Sequence, residues 1–126
     1  MDIIATINKL SQVAKIKKIG NDEYEILTEA KIDHKTPVKM YLYNKNGVLS
    51  LGDKKTTLKY MNNYYELKSP DVKGCIASVV KIYGFLIVSG ELVANIKSEQ
   101  SVLETFYNFI ICVGQLANMY AFFDKP

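Results

Sequence analysis

The sequence predicts a single α+β domain. An antiparallel three-stranded meander and a second hairpin pack with an N-terminal helix, a central helix and a long apolar C-terminal helix. Three observations predict it. Short stretches of period-two alternation lie on either side of two-residue turn signals, as hairpins require. Other stretches repeat apolar residues at i, i+3, i+4 and i+7, as half-buried helices require. The chain has 126 residues, 48% hydrophobic and 23% charged, which suits one continuous core. No repeat, linker or biased tract divides residues 1–126, so they are read as one unit.

Asp2 is placed to cap a first helix whose apolar positions Ile3, Ile7, Leu10 and Ala14 recur at helical spacing, with Gly20 as its stop. From Glu23 to Thr28 the period becomes strand-like. Val38, Met40 and Leu42 then alternate with Lys39, Tyr41 and Tyr43, and Asn46-Gly47 signals a hairpin whose return strand runs from Val48 to Leu51. A short helical segment follows near Thr57 to Asn62. Ser69-Pro70-Asp71 supplies a cap, a proline at the first helical position and an acid in the first turn. The helix behind it carries Val72, Cys75, Ile76, Val79, Val80 and Tyr83 on one stripe and ends at Gly84. Phe85 to Val88 and Glu91 to Ile96 flank Ser89-Gly90 as the second hairpin, and Ser101 with Glu104 forms a capping box for the last helix.

The last helix has few polar residues, and they are aligned. Glu104, Asn108, Gln115 and Asn118 fall within about 80° at 100° per residue, leaving a wide apolar arc. Thr105 to Phe123 carries no charge over 19 residues, yet its amide side chains favour a buried helix over a membrane span. An arc this wide predicts a homodimer through Phe106, Ile110, Val113 and Tyr120, because one sheet face covers only part of it.

All 16 basic residues are Lys, against 13 acids, for a net charge of +3. Without Arg there is no planar fork for bidentate base reading, which argues against a sequence-specific DNA reader. Cys75 and Cys112 sit in apolar runs with no ligand-spaced Cys or His, so they are expected to be free buried thiols in a reducing, cytoplasmic setting. No basic n-region opens the chain as a signal peptide would. No cofactor motif and no metal-ligand spacing is present.

From Lys35 to Lys59 there are six Lys against the single acid Asp53. With Val38, Met40 and Leu42 turned to the core, Lys39, Tyr41 and Tyr43 share the outer face. Lys45, Asp53, Lys54 and Lys55 join them as candidate binding residues, a surface suited to an acidic protein or a nucleic-acid backbone. In the plainer alternative, Glu23 and Glu25 neutralise Lys39 across the sheet. Asp53, just before Thr56-Thr57, has the position of a turn-closing or capping acid. An enzyme would have to be built around Asp33, His34 and Asp53, the only arrangement that resembles an acid–base pair.

Several strings resemble a known family. They are Val38-Lys39-Met40-Tyr41, the turn Asn46-Gly47, the run Leu51-Gly52-Asp53-Lys54-Lys55-Thr56-Thr57-Leu58, and farther on Tyr83-Gly84-Phe85 and Gly90-Glu91-Leu92-Val93. From about Ile19 to Phe123 the chain resembles the bacterial domain-of-unknown-function family 1828, found in chromosomes and in phages and other mobile elements. That family's pattern at the central run is roughly Leu-Thr-Asp-Asp-Gly-x-Thr-Leu. Asp53, Thr57 and Leu58 match it, and Lys54 and Lys55 replace its second Asp and its Gly. The resemblance implies a small cytosolic accessory protein that is a binder rather than a metabolic enzyme. The concrete expectation is a protein that acts by protein–protein interaction, for example as an inhibitor of a host defence or replication component.

Overall fold

Asp2 caps the first helix as its position predicts, accepting a 3.0 Å hydrogen bond from the amide of Ile4. The computed structural model describes residues 2–119. They form α1 (Ile3–Leu10), β1 (Lys15–Gly20), β2 (Glu23–Leu27), β3 (Met40–Lys45), β4 (Val48–Gly52), α2 (Thr56–Met61), α3 (Pro70–Ile82), β5 (Leu86–Val88), β6 (Glu91–Asn95) and, after a 3-10 turn at Glu99–Ser101, α4 (Val102–Ala117). The class is α+β.

The first helix is shorter than its apolar spacing suggests. Ser11 caps it, and Lys15–Gly20 pairs antiparallel with β2 instead of extending the helix. Pairing sets Ile16 opposite Ile26 and Lys17 opposite Glu25, so a ladder with opposite charges facing across it takes the place of the predicted last helical turns. The capping box also moves. Ser98 and Ser101 exchange side-chain and backbone bonds around the 3-10 turn, while Ser101 makes no side-chain cap to α4 and Glu104 stands exposed.

The meander and the second hairpin join in one six-stranded antiparallel sheet of order β1-β2-β3-β4-β6-β5. The joint is β4 against β6, with Leu51 opposite Ala94 and Gly52 opposite Val93. The core-side residues of the central strands, Ile26, Met40, Leu42, Leu51, Leu92 and Ala94, are buried in one cluster with Leu10, Met61, Val80 and the inner stripe of α4. The helices pack over that side.

The wide apolar arc of α4 is covered within the chain, because the helix meets α1, α2, α3 and β6. Phe106 and Val113, expected at a dimer interface, are 2% and 1% exposed and belong to the core. Ile110 is half-buried against it. Tyr120 lies outside the described residues. Tyr107 and Ile111 instead share the exposed stripe with Glu104, Gln115 and Asn118. Among the described residues no helix is long and apolar enough to cross a membrane.

Candidate binding surface

With the helices on one side, alternation leaves the opposite face of the sheet open, and register fixes its rows. One row reads Lys17, Glu25, Tyr41, Gly52, Val93 and Leu86 from β1 to β5; the next reads Glu23, Tyr43, Ser50 and Asn95. Tyr41 and Tyr43 are half-buried at the centre of this face. Lys54 reaches back over it from the end of β4, placing its ammonium 4.5 Å from the centre of the Tyr41 ring and 2.8 Å from Glu23 Oε2. The Glu23 carboxylate raises the Lys54 pKa, so the ammonium stays charged. Lys45 lies 5.7 Å from the Tyr43 ring centre. The acids neutralise the face as the plainer alternative supposed, but through Lys54 rather than Lys39, which is exposed just ahead of β3.

Glu91 on β6 locks the face to the turn behind it. Its Oε2 accepts 2.9 Å bonds from the Tyr43 hydroxyl and from the Lys54 amide. Burial and the Glu91 carboxylate push the Tyr43 hydroxyl pKa up, so that hydroxyl remains a donor. Both side chains close over Gly52, where a Cβ would stand 2.6 Å from a Tyr43 ring carbon and collide with Glu91. Position 52 is therefore glycine for want of space.

Asp53 is not part of the exposed surface. It is 0% exposed, and Oδ1 accepts from the amides of Lys55 and Leu92 at 2.9 and 3.1 Å while Oδ2 accepts from the amide of Thr57 at 3.0 Å. Burial raises its carboxyl pKa despite these donors. Its own carbonyl accepts from the amide of Thr56, closing a turn in which Lys54 and Lys55 both adopt positive φ, 52° and 69°. The hairpin turns Asn46-Gly47 and Ser89-Gly90 have the same pair of positive angles with glycine second. Here Lys55 takes the glycine-like place, and its stem lies beside Gly90 rather than over Tyr41.

Both carboxylates of the expected acid–base trio are taken up by other donors. Asp33 Oδ1 accepts 2.7 Å bonds from the amides of Lys35 and Thr36, and Oδ2 accepts from the hydroxyls of Tyr60 and Thr36. The two backbone amides, ahead of Tyr60, hold its pKa at about 2. Both its oxygens close the 31–37 loop, His34 stands exposed, and the Asp53 oxygens serve their own turn. Cys112 is buried, and burial pushes its thiol up to about 12, which keeps it protonated. Among the described residues no group of three or more His, Cys, Asp or Glu has an arrangement that could hold a metal ion.

The candidate surface is thus Tyr41, Tyr43, Lys45 and Lys54, with Glu23, Glu25 and Glu91 interleaved. Glu23 and Glu25 belong to the face as their alternation indicates, whereas Glu91, which comes from the second hairpin, carries no signal in the sequence that places it there. Beside β5 lies a second feature, a groove of about 680 Å³ between that strand and α3, floored by Ile76, Val80, Phe85 and Ile87 and flanked by Lys73 and Lys81. Comparisons of the chain with protein-family models, with curated proteins and with solved structures find no match. What the fold and site define is a sheet with helices on one face and a mixed-charge aromatic surface on the other.

Proposed function

We propose that this chain is a non-enzymatic binding protein whose open sheet face docks on a larger protein. The observation that carries the reading is the pairing on that face: Tyr41 and Tyr43 are held rigid by Lys54, Glu23 and Glu91, so aromatic area is presented with little side-chain entropy left to lose on binding. Interleaved Glu23, Glu25 and Glu91 repel a nucleic-acid backbone, which favours a protein partner over the nucleic-acid alternative. Asp33 and Asp53 are occupied in holding turns, which leaves an enzymatic reading without its acid and base. The resemblance noted in the sequence adds a setting: a cytoplasmic accessory protein of a phage or mobile element, acting by occluding a host defence or replication component.

Capture from lysate, with and without nuclease, tests the reading when wild type is compared with a chain carrying Tyr41→Ser and Lys54→Ser. The expected result is a nuclease-resistant partner held by wild type and lost by the variant, with circular dichroism unchanged. Loss of the captured material on nuclease treatment favours nucleic acid instead. A partner retained equally by both chains removes this face as the contact.

A further inference from the structure

The two edges of the sheet are treated differently. β1 carries Lys15, Lys17 and Lys18 and an irregular register between Lys18 and Gly20, devices that discourage a further strand. β5 is Leu86-Ile87-Val88, with no charge and no proline, and Leu86 and Val88 are 54% and 52% exposed.

Backbone direction on β5 follows from its partner. Ile87 stands opposite Leu92, and the Leu92 amide points away from β5 to Asp53. That makes Ile87–Leu92 a non-hydrogen-bonded pair, as the two-residue turn at Ser89-Gly90 also requires. The N–H and C=O of Ile87 are therefore directed outward from the sheet, and among the described residues no strand pairs with that side of β5. Alongside it runs the groove, walled by the α3 stripe Lys73, Ile76, Ala77, Val80 and Lys81. Both lysines are exposed and no acid lines the groove.

We propose that β5 accepts an extended peptide segment whose groove-facing positions are two apolar residues flanked by acids, which adds as a seventh strand beside Ile87. Its main chain bonds the outward N–H and C=O of Ile87, and every second side chain faces α3: an apolar pair enters the groove over Val80 and Ile76, and the acids on either side of that pair meet Lys73 and Lys81. A second copy of this chain is the poorer occupant. Pairing β5 with itself about a two-fold axis sets Lys73 and Lys81 of one copy toward those of the other without an acid between them. The inference rests on the reading of the chain as a protein binder, but it places a contact at the sheet edge.

The test uses the full chain and a fluorescein-labelled peptide, Glu-Thr-Val-Thr-Ile-Thr-Glu, blocked at both ends, whose odd positions place two apolar residues between two acids on one face. Saturable anisotropy is expected, together with at least tenfold slower exchange of the Ile87 amide when the peptide is bound. Binding should weaken at least tenfold when Lys replaces the peptide's acids, or when Lys73→Glu and Lys81→Glu are introduced. Both lysines are exposed, so the variant keeps its fold. No saturable binding, or binding indifferent to charge reversal with Ile87 exchanging as in the free chain, overturns the proposal. Sedimentation showing a dimer whose formation protects Ile87 assigns the edge to a second copy and also overturns it. If the peptide fails while wild type still holds the nuclease-resistant partner that the Tyr41 and Lys54 variant loses, the edge proposal falls alone.

Discussion

Three backbone amides from two distant stretches converge on the Asp53 carboxylate, so a single side chain fixes where β4 ends, where α2 begins and how β6 lies beside them. Replacing it with Ala strands those donors, and a buried unsatisfied donor costs about 1–3 kcal/mol. The expected loss for Asp53→Ala is at least about 3 kcal/mol by urea denaturation, with Asp53→Asn milder because it keeps an acceptor and sheds the burial of a charge. Lys55, left-handed beside it, runs the other way. Lys55→Gly removes a steric penalty of about 1–2 kcal/mol against added chain entropy of about 0.5–1 kcal/mol, so a small net gain in stability is expected. Asp33 sets the acid response. Its folded pKa, about 2, lies below the ordinary 3.8, so the unfolded chain binds the proton more tightly and the contribution of Asp33 is lost as pH falls from about 4 towards 2. Thermal scans across that interval should show a shallower decline for Asp33→Asn than for wild type.

At the level of elements, the sequence was most legible where local chemistry decides. Asp2, Asn46-Gly47, Pro70 and Ser89-Gly90 each mark a boundary that the structure keeps, because caps and two-residue turns are set by their own residues. Lys15–Gly20 is a strand where the sequence predicts helix, because Ile16 fits the tail of a helix nearly as well as a strand and only the partner β2 decides between them. Lys17→Glu tests that pairing: it sets two acids opposite each other across β1 and β2, and a loss of about 0.5 kcal/mol is expected in chemical denaturation. The candidate site was legible in part. Tyr41, Tyr43, Lys45 and Lys54 share the surface that alternation indicated, whereas Asp53 and Lys55 left it because a run of two left-handed residues reverses the chain after Gly52. Nothing in the residue types at 54 and 55 announces such a turn. The wide arc of α4 was visible, but not that three other helices cover it.

Across the whole molecule, stability is expected to be graded from the middle of the sheet outward. Leu42, Leu51, Leu92 and Ala94 are each 0% exposed on three adjacent central strands, whereas β1 and β5 have a neighbour on one side only. Native-state hydrogen exchange should find the slowest amides in β3, β4 and β6 and the fastest in β1 and β5.

Placing β6 between β4 and β5 also imposes an order of events on the growing chain. When residues as far as Val88 have left the ribosome, the flank of β4 is bare, and Asp53 lacks the Leu92 amide that lies 39 positions downstream. The first four strands therefore form an unfinished sheet that cannot seal itself. A chain halted at Val88 is expected to bind a hydrophobic dye and to be degraded quickly by protease, and supplying the stretch from Ser89 onward as a separate fragment should restore resistance. Such a protein is completed from its interior, by a strand that arrives late and closes a gap its earlier neighbours hold open.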